Sequence, residues 1–318
     1  MHPSTNLIFK VPKLDYQSVI DAETWAFIAR TNRFYTPETA TYSIDRQRAI
    51  YDAMCREFVQ PYPPGVTALD QQIAGVACRI YKGSGPATVL YLHGGGFVVG
   101  GLDSHEDVCA EIMARTELTV VAAAYRLSPE NLHPAAFDDT CAVARALPGP
   151  LVLAGDSAGA NLAAAAAHAL RGSPVQISGQ VLIYPGLGGD PTSGSYKTHA
   201  HAPMLTLADV LFYKDIRHGR PAPQDEPSVT PLCDPDFTQL PPTLAISAEC
   251  DPLADDARLY TDKIIRAGGR ARWSNAKGQV HGYLRARKTV PRAAHSFTLI
   301  FETISAFAKG EWPFEEPR

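Results

Sequence analysis

The chain has 318 residues, 45% of them hydrophobic, with a formal net charge of −4. That length can bury an ample core, the charge and the lack of a long basic run argue against a nucleic-acid partner, and no stretch approaches the roughly 18 apolar residues of a membrane span. The start lacks a basic segment and an apolar core for export, and the six cysteines are dispersed without a C-x-x-C pair, so free thiols and a cytoplasmic location are expected.

In chain order, residues 1–55 read as helical and aromatic, with Trp25, Phe27, Phe34 and Tyr35. From Ile73 onward, strands and helices alternate. Strands are predicted at 74–81, 88–92, 119–125, 151–155, 179–184, 243–248 and 270–274. Helices are predicted near 104–115, 136–147, 158–171, 256–267 and 291–308. Such interleaving implies an α/β fold with a mostly parallel central sheet and helices on both faces. Residues 186–235 interrupt the alternation; they are rich in Gly and Pro and carry one amphipathic helix near 207–218. An insertion of that size seldom lacks a job. There is no internal repeat and no low-complexity linker.

Ser157 sits in Gly155-Asp156-Ser157-Ala158-Gly159, after the apolar run 151–154 and before an Ala-rich helical stretch. A serine at the apex of a sharp strand-to-helix turn projects its hydroxyl where a base can reach it, and the turn demands small residues two before and two after. Upstream, the strand 88–92 runs into His93-Gly94-Gly95-Gly96-Phe97. Three consecutive glycines cost backbone entropy, and close approach of the main chain to a ligand is a reason to keep them. The N–H groups of Gly94, Gly95 and Ala158 are expected to form a hole for a developing oxyanion. His93 is read as bracing this loop rather than as a base.

A serine nucleophile needs an imidazole, and the imidazole an orienting carboxylate, both downstream on loops that follow strands. The strand 243–248 leads to two acids at its end, Glu249 and Asp251; Pro252 favours an extended Asp251. Asp255 and Asp256 look like first-turn and capping carboxylates of the next helix. For the base, His281 follows a short strand and the loop 275–280, and Gly282 lets the chain turn after it. The other histidine downstream of Asp251, His295, lies inside the last amphipathic helix. His199 and His201 form an H-x-H pair with no third ligand at suitable spacing, so no metal is expected. Cys250 is read as a packing residue.

Taken together, HGGGF at 93–97, YRLSPE at 125–130, GDSAG at 155–159, DPL at 251–253 and HGY at 281–283 resemble the bacterial hormone-sensitive-lipase-like esterases (family IV) of the α/β-hydrolases. The motifs span most of the chain from Ile73. The resemblance implies Ser157 as nucleophile, Asp251 rather than Glu249 as the acid, and His281 as base. It implies a serine carboxylesterase for short- to medium-chain esters, a small-molecule ester as partner, and no cofactor. It also implies one α/β-hydrolase domain over 1–318 with a helical cap from about 1–55 and 186–235, whose inner face includes Met204, Leu205, Phe212 and Tyr213. Glu130 would support the catalytic loops by hydrogen bonds. Tyr283 and Ser128 stand where the family commonly has Phe and Ala; Tyr283 would make the pocket edge more polar. Left open are a homodimer, an amidase or formamidase using the same triad, a lipase, and a ligand-binding protein of this fold without catalysis.

Overall fold

The computed structural model describes residues 14–219, 223 and 225–315. The expected N-terminal helical segment is therefore described from residue 14 onward.

Eight strands form one sheet: β1 (Ala68–Ile73), β2 (Val76–Tyr81), β3 (Thr88–Leu92), β4 (Thr119–Ala123), β5 (Leu151–Asp156), β6 (Ile177–Ile183), β7 (Thr243–Cys250) and β8 (Ala271–Val280). Their order is β1-β2-β4-β3-β5-β6-β7-β8; β3 to β8 run parallel and the β1–β2 and β2–β4 pairs are antiparallel. The helices are α1 (Ala22–Asn32), α2 (Ile44–Phe58), α3 (Glu106–Thr116), α4 (Ala135–Ala146), α5 (Ala158–Ala169), α6 (Gly194–Thr198), α7 (Leu207–His218), α8 (Ala254–Arg266) and α9 (Pro291–Ala308).

The central strands are apolar on both sides, and their side chains alternate between two cores. Val152 and Ala154 join Val108 and Ile112 of α3 and Ile300, Ile304 and Phe307 of α9. Leu151 and Leu153 join α4, α5 and Tyr260 of α8. In α5 the alanines Ala163, Ala164 and Ala166 are all buried. Their small side chains let this helix lie close against the sheet, which brings its first turn up to the ends of β3 and β5.

Two strand readings are incomplete. The predicted strand 74–81 is present as β2, but it is the second arm of a hairpin with an unexpected first arm, β1; Ala74 (φ 50°) and Gly75 (φ 82°) join the two. β1 reads Ala-Leu-Asp-Gln-Gln-Ile, an exposed edge without apolar alternation, so nothing in its pattern marks it. The expected loop 275–280 is instead the second half of β8, which bends at Gly278 (φ 68°) and shifts register against β7 between Ala248 and Cys250. His281 therefore follows a strand directly.

Asp255 and Asp256 do lie in the first turn of α8, but they reach across to another segment. Asp255 accepts the Ser195 N–H at 2.8 Å. Asp256 Oδ2 accepts the N–H groups of Leu187, Gly188 and Gly189 at 2.6, 3.1 and 3.3 Å and the Tyr196 hydroxyl at 3.0 Å. Burial pushes the Asp256 carboxyl up to about 7, despite these donors. Its pKa in the fold lies above the ordinary carboxylate value, so the folded chain keeps a proton that the unfolded chain has lost, and stability falls as pH rises from about 4 to about 7. Asp256→Asn cannot ionise. Relative to the wild-type chain it is expected to gain stability between pH 4 and 8, on the order of a few kcal/mol. Thermal melts of both chains across that range check this.

Candidate active site

β5 ends immediately before Ser157 and α5 starts immediately after it. Ser157 has φ 54° and ψ −119°, a conformation L residues rarely adopt, and its N–H donates to the Ile183 carbonyl at 2.9 Å. Strain of this kind, of order 1–3 kcal/mol, persists where the surroundings over-determine it. Here the surroundings are backbone. A Cβ on Gly155 would stand 2.6 Å from the Gly159 carbonyl carbon and 2.7 Å from the Leu92 carbonyl oxygen, and one on Gly159 would overlap the Leu92 carbonyl. The two glycines let α5, β3 and β5 converge, and the serine hydroxyl is thrown out beyond the sheet.

The His281 Nε2 lies 2.8 Å from Ser157 Oγ, and its Nδ1 lies 2.6 Å from Asp251 Oδ2. A carboxylate only accepts, so Nδ1 carries the proton and Nε2 is free to accept the serine hydroxyl. Asp251 is fully buried, and its Oδ1 accepts the Leu253 N–H at 2.9 Å, which fixes the carboxylate. Tyr184 backs the imidazole, ring centroids 4.8 Å apart. The competing acid is committed elsewhere: Glu249 binds Lys277 Nζ and the Gly278 N–H, each at 2.7 Å. His295 is exposed on α9. The structure thus brings together Ser157, Asp251 and His281, at the carboxyl ends of β5, β7 and β8.

The glycine loop departs from expectation at one position. The Gly94 N–H donates to Asp156 Oδ1 at 2.9 Å, so it is spent inside the protein. Of the loop glycines, Gly95 (φ 129°) lines the larger of the two spaces that meet at Ser157 and Gly96 (φ 60°) lines both; Ala158 lines the smaller. Among the described residues, the N–H groups of Gly95 and Gly96 have no protein acceptor. Asp156 is the anchor that sequence reading passed over. It is buried, accepts the Tyr91 hydroxyl at 3.0 Å and stands 3.3 Å from His105 Nε2. Burial pushes its pKa up, but His105, Arg285 and Tyr91 outweigh that and hold the carboxyl well below the usual carboxylate range. An acid beside the serine of a tight elbow was the available signal: its side chain reaches the neighbouring strand's exit.

His93 stacks on Tyr125 at 4.3 Å, and its Nδ1 lies 2.8 Å from the Gly94 carbonyl. Burial, then neighbouring His105, pushes its pKa down to about 4, so it is neutral and Nδ1–H donates. Glu130 does not reach the catalytic loops. It is half-exposed and pairs with Arg48 of α2 at 2.7 Å, and Arg48 in turn donates to the carbonyls of Val98 and Ser128 at 2.8 and 3.0 Å. Tyr283 does not edge the pocket either: it is fully buried, 2.5 Å from Ser296 Oγ. His199, of the H-x-H pair, bonds the Tyr16 hydroxyl at 3.1 Å.

Two cavities meet at Ser157. The larger, about 430 Å³, is walled by Tyr35, Tyr51, Met204, Phe212 and Tyr213 and includes His281. The smaller, about 140 Å³, is walled by Phe97, Ala158, Leu205, Leu253 and residues of α7. Met204, Leu205, Phe212 and Tyr213 all face this space. No helix among the described residues is long and apolar enough to cross a membrane.

A strand-turn-helix elbow carrying a serine bonded to an imidazole is a serine-hydrolase arrangement. Comparison with known proteins agrees. A family profile described as the alpha/beta hydrolase fold matches residues 89–285. The chain is 33% identical over 268 residues to Esterase LipI of Mycobacterium tuberculosis, covering 74% of this chain and 81% of that one. It is 30% identical over 283 residues to an esterase of Acinetobacter venetianus, covering 84% of this chain and 90% of the relative. Among solved structures, an esterase from the bacterial hormone-sensitive lipase family superposes with a TM-score of 0.81 at 27% identity, covering 90% of this chain and 98% of the other. The chain belongs to the α/β-hydrolase family, in its bacterial hormone-sensitive-lipase-like esterase branch.

Proposed function

We propose that this chain is a serine carboxylesterase that hydrolyses short- to medium-chain carboxylic esters through Ser157, His281 and Asp251. The observation that carries the reading is the unbroken hydrogen-bonded line from Ser157 Oγ through the imidazole to the buried carboxylate. His281 takes the hydroxyl proton as Ser157 attacks the ester carbonyl. The oxyanion accepts the N–H groups of Gly95, Gly96 and Ala158. The alcohol leaves with the proton from His281, and water repeats the sequence on the acyl-enzyme. Gly96 replaces Gly94 in this donor set because Asp156 occupies the Gly94 N–H. Asp156 and His93 hold the loop in place.

The described parts of 1–55 and 186–235 act as a cap on a single hydrolase domain, supported by Tyr35, Tyr51, Met204 and Phe212 facing the larger cavity. The free cysteines, five of them buried, support a reducing, cytoplasmic setting. Matched p-nitrophenyl esters and p-nitroanilides of one short acid test the reaction class. The ester is expected to turn over faster by orders of magnitude; an equal or faster anilide would make the chain an amidase.

A further inference from the structure

We propose that the smaller cavity beside Ser157 receives an acyl chain ending in a carboxylate, so that hemiesters of short dicarboxylic acids are preferred substrates; this rests on the ester-hydrolase reading above. The two cavities can be told apart by the base. His281 lines the larger one and not the smaller. The group that protonates the leaving oxygen must reach it, so the alcohol occupies the larger cavity and the acyl chain the smaller. A volume of about 140 Å³ limits that chain to a short one.

The charge lining the smaller cavity is of one sign. Apart from tyrosines, its titratable residues among the described ones are Lys214, Arg217 and His218, and no described Asp or Glu lines it. The three sit on α7 at the spacing that places side chains on one face. Arg217 is only 5% exposed. Its guanidinium lies 3.7 Å over the Phe97 ring and donates to three neutral oxygens: Asn161 Oδ1 at 3.2 Å, the Ser228 carbonyl at 3.2 Å and the Val229 carbonyl at 3.4 Å. Among the described residues it forms no ion pair with a carboxylate. The other deeply buried guanidinium of comparable exposure, Arg287, has two such partners, Asp107 at 2.7 Å and Glu111 at 3.0 Å.

A buried cation with no carboxylate in contact is costly; Glu226, whose charge acts on Arg217, bonds His133 Nε2 and the Ser228 hydroxyl instead. Burial lowers the Arg217 pKa to about 9, which leaves it charged at neutral pH. Beside it, His218 Nδ1 is buried with no hydrogen-bond partner. Burial, then Arg217, His133 and Lys214, pushes the His218 pKa down to about 4, so this ring is neutral and can offer one N–H. Three of the five Arg217 N–H groups go to the three neutral oxygens; among the described residues the Nε–H and one Nη2–H have no acceptor, and that pair can hold a carboxylate side-on, while Leu205, Val210 and Leu253 give the acyl methylenes an apolar passage from Ser157.

Ethanol release from monoethyl succinate and from ethyl isocaproate, its isostere with methyls in place of the carboxylate oxygens, tests this in the wild-type chain, Arg217→Met, Arg217→Lys and Lys214→Met. In the wild-type chain kcat/KM should favour the hemiester by roughly 10- to 100-fold, the range of a charge-assisted hydrogen bond. Arg217→Met should cut that ratio by about tenfold or more, with Arg217→Lys and Lys214→Met in between. If Arg217→Met does not fold, the Lys214→Met ratio and stronger inhibition of the wild-type chain by succinate than by isocaproate decide the matter. A wild-type chain that turns over the neutral ester as fast or faster, or a ratio unmoved by these substitutions, overturns the proposal while leaving ester hydrolysis standing. Turnover of neither ester would overturn both readings.

Discussion

Replacing Ser157 with alanine is expected to lower ester turnover by about a millionfold, the loss seen when another serine hydrolase loses its nucleophile. The size follows from what is left behind. Ser157 is the hydroxyl that His281 Nε2 touches, at 2.8 Å, and the strained backbone that presents it serves no other side chain. Without Oγ, no acyl-enzyme forms, and the remaining acceleration comes from the amide donors and from substrate binding. Alanine keeps the Cβ, and with it the backbone strain, and makes no new contact, so the melting temperature should stay near the wild-type value. The measurement is kcat/KM on a short p-nitrophenyl ester, with a thermal melt and mass spectrometry after a phosphonate inhibitor. Loss of labelling should accompany loss of rate. A variant retaining more than a small fraction of turnover would show that Ser157 is not the nucleophile.

The second large effect is at Asp251. Asp251→Asn is expected to keep the fold and lower turnover by about ten-thousandfold, by analogy with another triad. The local hydrogen bonds explain why. The buried Leu253 N–H needs an acceptor, which the asparagine carbonyl oxygen supplies. The amide nitrogen then faces His281 Nδ1, where a carboxylate oxygen stood 2.6 Å away. A donor there forces the imidazole proton onto Nε2, and the base can no longer accept from Ser157. Glu249→Gln is the control: Glu249 binds Lys277 and Gly278, not the imidazole, so its turnover should stay near the wild-type value. A larger loss at Glu249 than at Asp251 would reverse the assignment of the acid.

Much of the site is legible in the chain because local rules govern its parts. The elbow can be read at Gly155, Ser157 and Gly159 because the turn itself excludes side chains at its flanks. The parallel core strands can be read because they are buried on both faces and apolar through their middles. Where the rules are not local, the reading slips. β1 is polar and exposed, and only pairing with β2 makes it a strand. The second half of β8 is a strand because β7 offers it a ladder past a bulge. Glu130 and Tyr283 both sit in motifs near the site, yet one turns outward to Arg48 and the other inward to Ser296.

What the order of residues determines by itself is the inventory and its sequence: a serine on an elbow, a glycine loop before it, an acid and then a histidine after strands. Those depend on turn geometry and hydrophobic period, which act over a few residues. Which peptide N–H groups point into the cavity, and which described basic residues are left without a carboxylate in contact, was decided only by tertiary packing. Gly94 and Gly96 are chemically the same residue; what distinguishes them is Asp156, sixty-two positions downstream of Gly94, taking the N–H of one and leaving the other free. Directional hydrogen bonds between distant segments carry that information, and no local pattern encodes it.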